Sequence, residues 1–98
     1  MAVSPEYLAK ARTSVRQGQD NEIDAELTDI IEEYRLDLIG LAVKPEKAND
    51  EKDALILGAL RCYVRWKFGM NNAEAAQNRE DYMQMRDEIR KRADYVLE

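Results

Sequence analysis

The side chains of this 98-residue chain that could act as acids, bases, nucleophiles or metal ligands are twenty carboxylates and one thiol, Cys62, with no histidine among them. A carboxylate acting as general acid or base needs a neighbour that tunes or receives its proton, and a thiol nucleophile needs a base to ionise it. Without an imidazole that partner is missing, and a single cysteine excludes a disulfide framework or a zinc finger built within one chain. The carboxylates are densest at Glu22, Asp24, Glu26, Asp29, Glu32 and Glu33. They fall on the polar side of a helical pattern, and no Asp-x-Asp-x-Asp-Gly calcium loop occurs. An ordinary solvated face is the expectation, and no catalytic, cofactor-binding or metal-ligating residue is assigned. Cys62 sits in an apolar stretch and reads as a packed core thiol, which fits a reducing cytosol.

The basic residues offer little more. Arg86, Arg90, Lys91 and Arg92 alternate with Asp87, Glu88 and Asp94 and lie toward a helix C-terminus, where the macrodipole favours cations. A net charge of −5 and a pI near 4.8 argue against a free-standing nucleic-acid binder, because affinity for phosphate comes from clustered Lys and Arg. The longest uncharged run, Ala54 to Leu60, has seven residues, whereas a bilayer span needs about 20. No membrane segment is expected. Met1 to Glu6 has neither a basic nor an apolar region, so no secretory signal is expected either.

The elements that must carry these residues are helical. Two prolines, four glycines and 36% charged residues favour a single all-α domain over residues 1–98, a small bundle of about four helices with a long last helix. Ser4-Pro5-Glu6 starts the first helix, about 5–16, with Gly18 at the expected stop. Asp20 or Asn21 caps the second, about 22–42, which places Ile23, Leu27, Ile30, Ile31, Tyr34, Leu38 and Leu41 on one face. Lys44 to Asn49 reads as a polar linker. Asn49 or Asp50 is the expected cap of a third helix, about 51–68, which is apolar around most of its circumference and so should be the most buried element. Gly69 ends it. Asn71 with Glu74 resembles a capping box for a last helix, about 72–97, approaching 40 Å in length at about 1.5 Å per residue. Its stripe is Tyr82, Met85, Ile89, Ala93 and Val96.

Some apolar residues fall off these stripes. Leu36, Ile39 and Val43 form a second stripe on the far side of the second helix, and a helix apolar on opposite faces is either sandwiched or meets another chain. Arg61 and Arg65 form the polar edge of the third helix, where they could complement its C-terminal end or reach a carboxylate of another chain. Met83 and Tyr95 lie off the stripe of the last helix. These seven residues are the candidate subunit interface.

The order of segments adds a resemblance. Asp20 to Tyr34 is an acidic capped helix; Asp53 to Gly69 is an apolar run ending at Tyr63, Trp66, Phe68 and Gly69; Asn71 to Tyr82 follows with Glu74, Ala76 and Tyr82. Over about Val3 to Arg92 this resembles the head-tail connector proteins of tailed bacteriophages and prophages, often labelled DNA-packaging proteins. The match is a pattern of segments and not a catalytic signature. It departs from longer members in its short link between the second and third helices, Val43 to Asn49, so any ring-gripping loop there does not carry over.

The resemblance implies a structural protein with no catalysed reaction and no cofactor. It would assemble with itself as a dodecameric ring beneath the portal protein and join it to later head-completion or tail proteins. DNA would pass through the ring without sequence-specific binding. Localisation would be the host cytoplasm during assembly and then the virion neck. The competing reading is a small helical regulator that binds nucleic acid or another regulator. A helix-turn-helix would place basic residues directly after the turn at Gly69, where the sequence is Asn-Asn-Ala-Glu-Ala-Ala, with the first basic residue at Arg79.

Overall fold

Capping residues set where the helices begin. In a computed structural model of the protein, which describes residues 2–69 and 73–97, the helices are α1 (Pro5–Ser14), α2 (Asn21–Gly40), α3 (Pro45–Ala48), α4 (Ala54–Lys67) and α5 (Ala75–Arg90). The fold is all-α, and the one β feature among the described residues is an isolated antiparallel bridge between Val43 and Val96. Ser4 Oγ accepts from the Tyr7 amide at 3.1 Å, and Asp20 accepts from Glu22 and Ile23 at 2.9 and 3.1 Å. Each bond satisfies an amide that the first helical turn leaves unpaired. For α4 the cap is Asp53, bonded to Leu55 and Ile56 at 2.9 and 3.0 Å, and not Asn49 or Asp50. The intervening Glu51 is turned aside to accept from the Ser4 amide and Arg35, so the helix starts after it.

Two helices end earlier than their patterns predict, and both do so in the same way. After α1, Arg16 adopts φ 57°, its amide reaches Thr13 O at 3.1 Å, and the Gln17 amide reaches Arg12 O at 2.9 Å. After α2, Ala42 adopts φ 69°, its amide reaches Ile39 O at 3.1 Å, and the Val43 amide reaches Leu38 O at 3.0 Å. These are Schellman motifs with a non-glycine residue in the left-handed position. Gly18, the expected stop, lies beyond the first of them.

The expected linker 44–49 holds the short α3, begun by Pro45. Gly69, at φ 84°, follows α4 where the chain must leave the helix. The expected start of the last helix at residue 72, and Asn71 of its capping box, lie outside the described residues. That helix is also shorter than its periodicity suggests: α5 stops at Arg90, about 24 Å long at about 1.5 Å per residue. Residues 92–95 turn, and the tail then pairs with the α2–α3 link through Lys44 N–Tyr95 O and Leu97 N–Ala42 O, both 2.8 Å.

The core is contributed by Leu27, Ile31, Tyr34 and Leu38 of α2, Ile56, Leu60, Tyr63 and Val64 of α4, Tyr7 and Ala11 of α1, and Tyr82 and Ile89 of α5. Helix α4 is central and touches α1, α2 and α5. Its approach to α5 is so close at Gly58 that a Cβ there would lie 2.8 Å from Met85 Cε. Four rings tie α2, α4 and α5 together, with Tyr63 4.8 Å from Tyr82, 5.5 Å from Tyr34 and 5.5 Å from Trp66 between centroids, in tilted or edge-on arrangements. Such geometry aligns a positive ring edge with a negative ring face.

Candidate subunit interface

The outer side of α2 carries the surface of interest. Its buried arc faces α1, α4 and α5, which leaves Glu22, Glu26, Asp29, Glu32 and Leu36 in a row along the exposed side. Leu36 is 68% exposed, while Ile39, one turn on, packs partly against the core. The two border a groove of about 350 Å³ together with Glu32, Arg35 and Asn49.

The groove has a firm base because Arg35 is buried, at 4% exposure. Its Nη2 donates to Glu51 at 2.9 Å and its guanidinium lies 5.5 Å from the Tyr7 ring centroid, so one side chain ties α2 to α1 and to the α3–α4 link. Partial burial works to raise the Glu51 carboxyl, but hydrogen bonds from Ser4 and Arg35, with the Arg35 charge, outweigh it and hold the pKa below its ordinary value.

The other candidate residues disperse. Val43 is a correction: it is wholly buried and carries no accessible surface. The Schellman motif folds it back beside Leu38, the usual hydrophobic contact of that motif, so the outer apolar stripe stops at Ile39. Arg61 is exposed on α4. Arg65 donates from Nε to Ser14 O at 3.1 Å, closing the end of α1, and borders a polar cleft of about 600 Å³ with Arg16 and Phe68. Met83 is half-buried against the core. Tyr95 serves as an internal latch, with its hydroxyl on the Asp53 carboxylate and Lys47 Nζ 4.8 Å from its ring centroid. Of the seven residues, the groove brings together only Leu36 and Ile39.

Arg35, Glu32 and Asn49 complete the groove and were not singled out from sequence. Arg35 could have been found, since it follows Ile31 by four residues and so falls within the apolar arc, where a charge requires a partner. Nothing local in sequence points to Glu51 as that partner. Two carboxylates expected to be solvated or left unassigned also have structural duties: Glu33 accepts from the Tyr63 hydroxyl, and Asp37 accepts from the Tyr82 hydroxyl.

The chemistry of these groups is that of donors held protonated. Burial raises the pKa of Tyr34, and burial together with the carboxylate partners raises those of Tyr63 and Tyr82. Burial also pushes the Cys62 thiol up, and its sulfur lies 3.9 Å from Met85 Sδ in the α4–α5 contact. Among the described residues no group of three His, Cys, Asp or Glu is placed to hold a metal ion, and no helix is long and apolar enough to cross a membrane.

No protein-family model matches the chain, and neither a curated protein nor a solved structure matches it.

Proposed function

We propose that the protein is a structural connector subunit of a tailed phage or prophage, assembling as a ring below the portal, with DNA passing through the centre and no reaction catalysed. The observation that carries this reading is Leu36, a large apolar side chain 68% exposed beside a groove with a rigid, ion-paired base. Beside that groove the leucine offers apolar area that a subunit contact would bury. The order of segments supports the same reading. In a ring each subunit meets its neighbours through two different surfaces, a heterologous contact that closes when its rotation permits. The acidic character suits a conduit that must release its cargo.

Native mass spectrometry of the full chain, alone at rising concentration and mixed with a portal protein, tests the reading. A ring-sized species is expected, with Leu36→Asp weakening it while far-ultraviolet circular dichroism stays unchanged. A chain that is monomeric throughout and never binds portal refutes it. A salt-dependent shift of DNA by the isolated protein would favour the small-regulator reading instead.

A further inference from the structure

The end of α5 differs from the ends of the other long helices. Arg16 and Ala42 turn the chain out of α1 and α2 in left-handed conformations, and Gly69 does so after α4. Past α5 no residue from 90 to 97 has a positive φ and none is Gly or Pro. Lys91 keeps right-handed helical angles, φ −79° and ψ −11°, and its amide still reaches Asp87 O at 3.1 Å. Ala93 and Val96 continue the apolar spacing of Ile89, so no local signal stops the helix.

What stops it is the docking of the tail. Val96 faces Val43 as a non-hydrogen-bonded antiparallel pair, flanked by Lys44 N–Tyr95 O and Leu97 N–Ala42 O, both at 2.8 Å. The Tyr95 hydroxyl donates to Asp53, and Lys47 Nζ lies 4.8 Å from the Tyr95 ring centroid. Among the described residues these tail bonds across the fold all run to residues 42–53. Lys91 to Asp94, which join the tail to α5, are exposed throughout, and their main-chain bonds are local. The acceptor at residues 42–53 is identical on every copy, so a tail can dock on a neighbour with the same contacts it makes at home. Such an exchange needs no new charge complementarity between chains of net charge −5.

We infer that the tail is an exchangeable arm. When copies assemble, residues 91–94 join α5 as a further helical turn, about 6 Å long, and Tyr95 to Leu97 of each copy dock on residues 42–53 of another. The inference rests on the connector reading for the assembly that brings copies together, and it names the segment they exchange. Residues 42–44 follow Ile39 at the end of α2, so the docked arm extends the surface that Leu36 and Ile39 begin. In dilute solution the arm docks on its own chain, because a short link holds it at an effective concentration in the millimolar range. Exchange belongs to the concentrated or assembled protein.

The test is disulfide trapping between copies of the full chain, with Cys62→Ala throughout. Val43→Cys and Val96→Cys are placed in separate, mass-distinguishable copies, mixed at about millimolar concentration and, in a second sample, with a portal protein, then oxidised and read by intact-mass spectrometry. Side chains of a non-hydrogen-bonded pair approach closely, so a disulfide between positions 43 and 96 of different copies is expected. Its yield should exceed about tenfold that obtained when Glu26→Cys, exposed and about 20 Å back along α2, replaces Val43→Cys. Ala42→Cys with Leu97→Cys, both exposed, repeats the test without touching the core, and circular dichroism checks the fold. In one copy carrying both Val43→Cys and Val96→Cys, oxidation in dilute solution locks the arm at home; self-association should then fall about tenfold or more and return on reduction. Equal trapping from positions 26 and 43, with the locked chain associating as well as the reduced one, overturns the inference and leaves the connector reading in place. A chain that neither associates nor binds portal overturns both.

Discussion

Replacing Val43 with Ala and, separately, Leu36 with Ala separates the core from the surface on one helix end. Val43 is fully buried, and its truncation removes two methyl carbons. At roughly 0.8 kcal/mol per buried methylene this gives about 1.6 kcal/mol, and the incompletely relaxed cavity raises the cost to about 2–3 kcal/mol. For a domain of this length each kcal/mol moves the thermal midpoint by about 4–8 °C, so a fall of about 10 °C or more is expected. Leu36, 68% exposed, should change monomer stability by no more than about 0.5 kcal/mol. Urea denaturation at a concentration low enough to keep the protein monomeric is the suitable assay, since self-association would otherwise add to apparent stability. The urea slope should be the same for both variants. Comparable losses from the two substitutions would refute the claim that α2 ends at Gly40 and turns Val43 inward.

Other outcomes follow from the same geometry. Ala42→Gly should raise stability by about 0.5–1 kcal/mol, because glycine relieves the left-handed strain at φ 69° by more than it adds to unfolded-chain entropy; a lower urea midpoint would contradict the Schellman geometry. On acidification, partial burial opposes ionisation of Glu51 and Asp53, but hydrogen bonds from Ser4, Arg35 and Tyr95 and the α4 amides win, so both folded pKa values lie below the ordinary 4.5 and 3.8. Their contribution is fully present above those ordinary values and is lost as pH falls through the folded ones, so a pH series of melting points should drop below about pH 4.5, and less steeply in Glu51→Gln. At the alkaline end, the bond to Asp53, then burial, pushes Tyr95 up from 10.0 to about 12. A raised tyrosine stabilises the fold below its ordinary pKa and loses that effect as pH climbs from 10 to 12; Tyr95→Phe should remove a tyrosinate step near pH 12 from the absorbance titration, and loss of a step near pH 10 instead would show the latch is not formed.

Features set by near neighbours were legible in the amino-acid order. Ser4-Pro5-Glu6 and Asp20 cap their helices through contacts two or three residues away, and the apolar spacing of Leu27, Ile31, Tyr34 and Leu38 defines an inward face wherever the helix sits. The all-α class, the central position of the helix holding Ile56, Leu60 and Val64, and the exposed position of Leu36 follow from that local information. Pairings across long stretches of chain emerged only once the helices were packed together. Arg35 finds Glu51 and Tyr7, Tyr95 finds Asp53, and Val96 bridges to Val43, which draws the C-terminal tail out of the helix its periodicity predicts. Ala42 adopts a left-handed conformation that its own propensity disfavours, because burying Val43 against Leu38 outweighs the local cost. A periodic pattern shows which side of a helix is apolar but not where packing terminates it, and so the outer apolar surface of α2 is narrower than its spacing implied, reduced to Leu36 and Ile39 beside a groove.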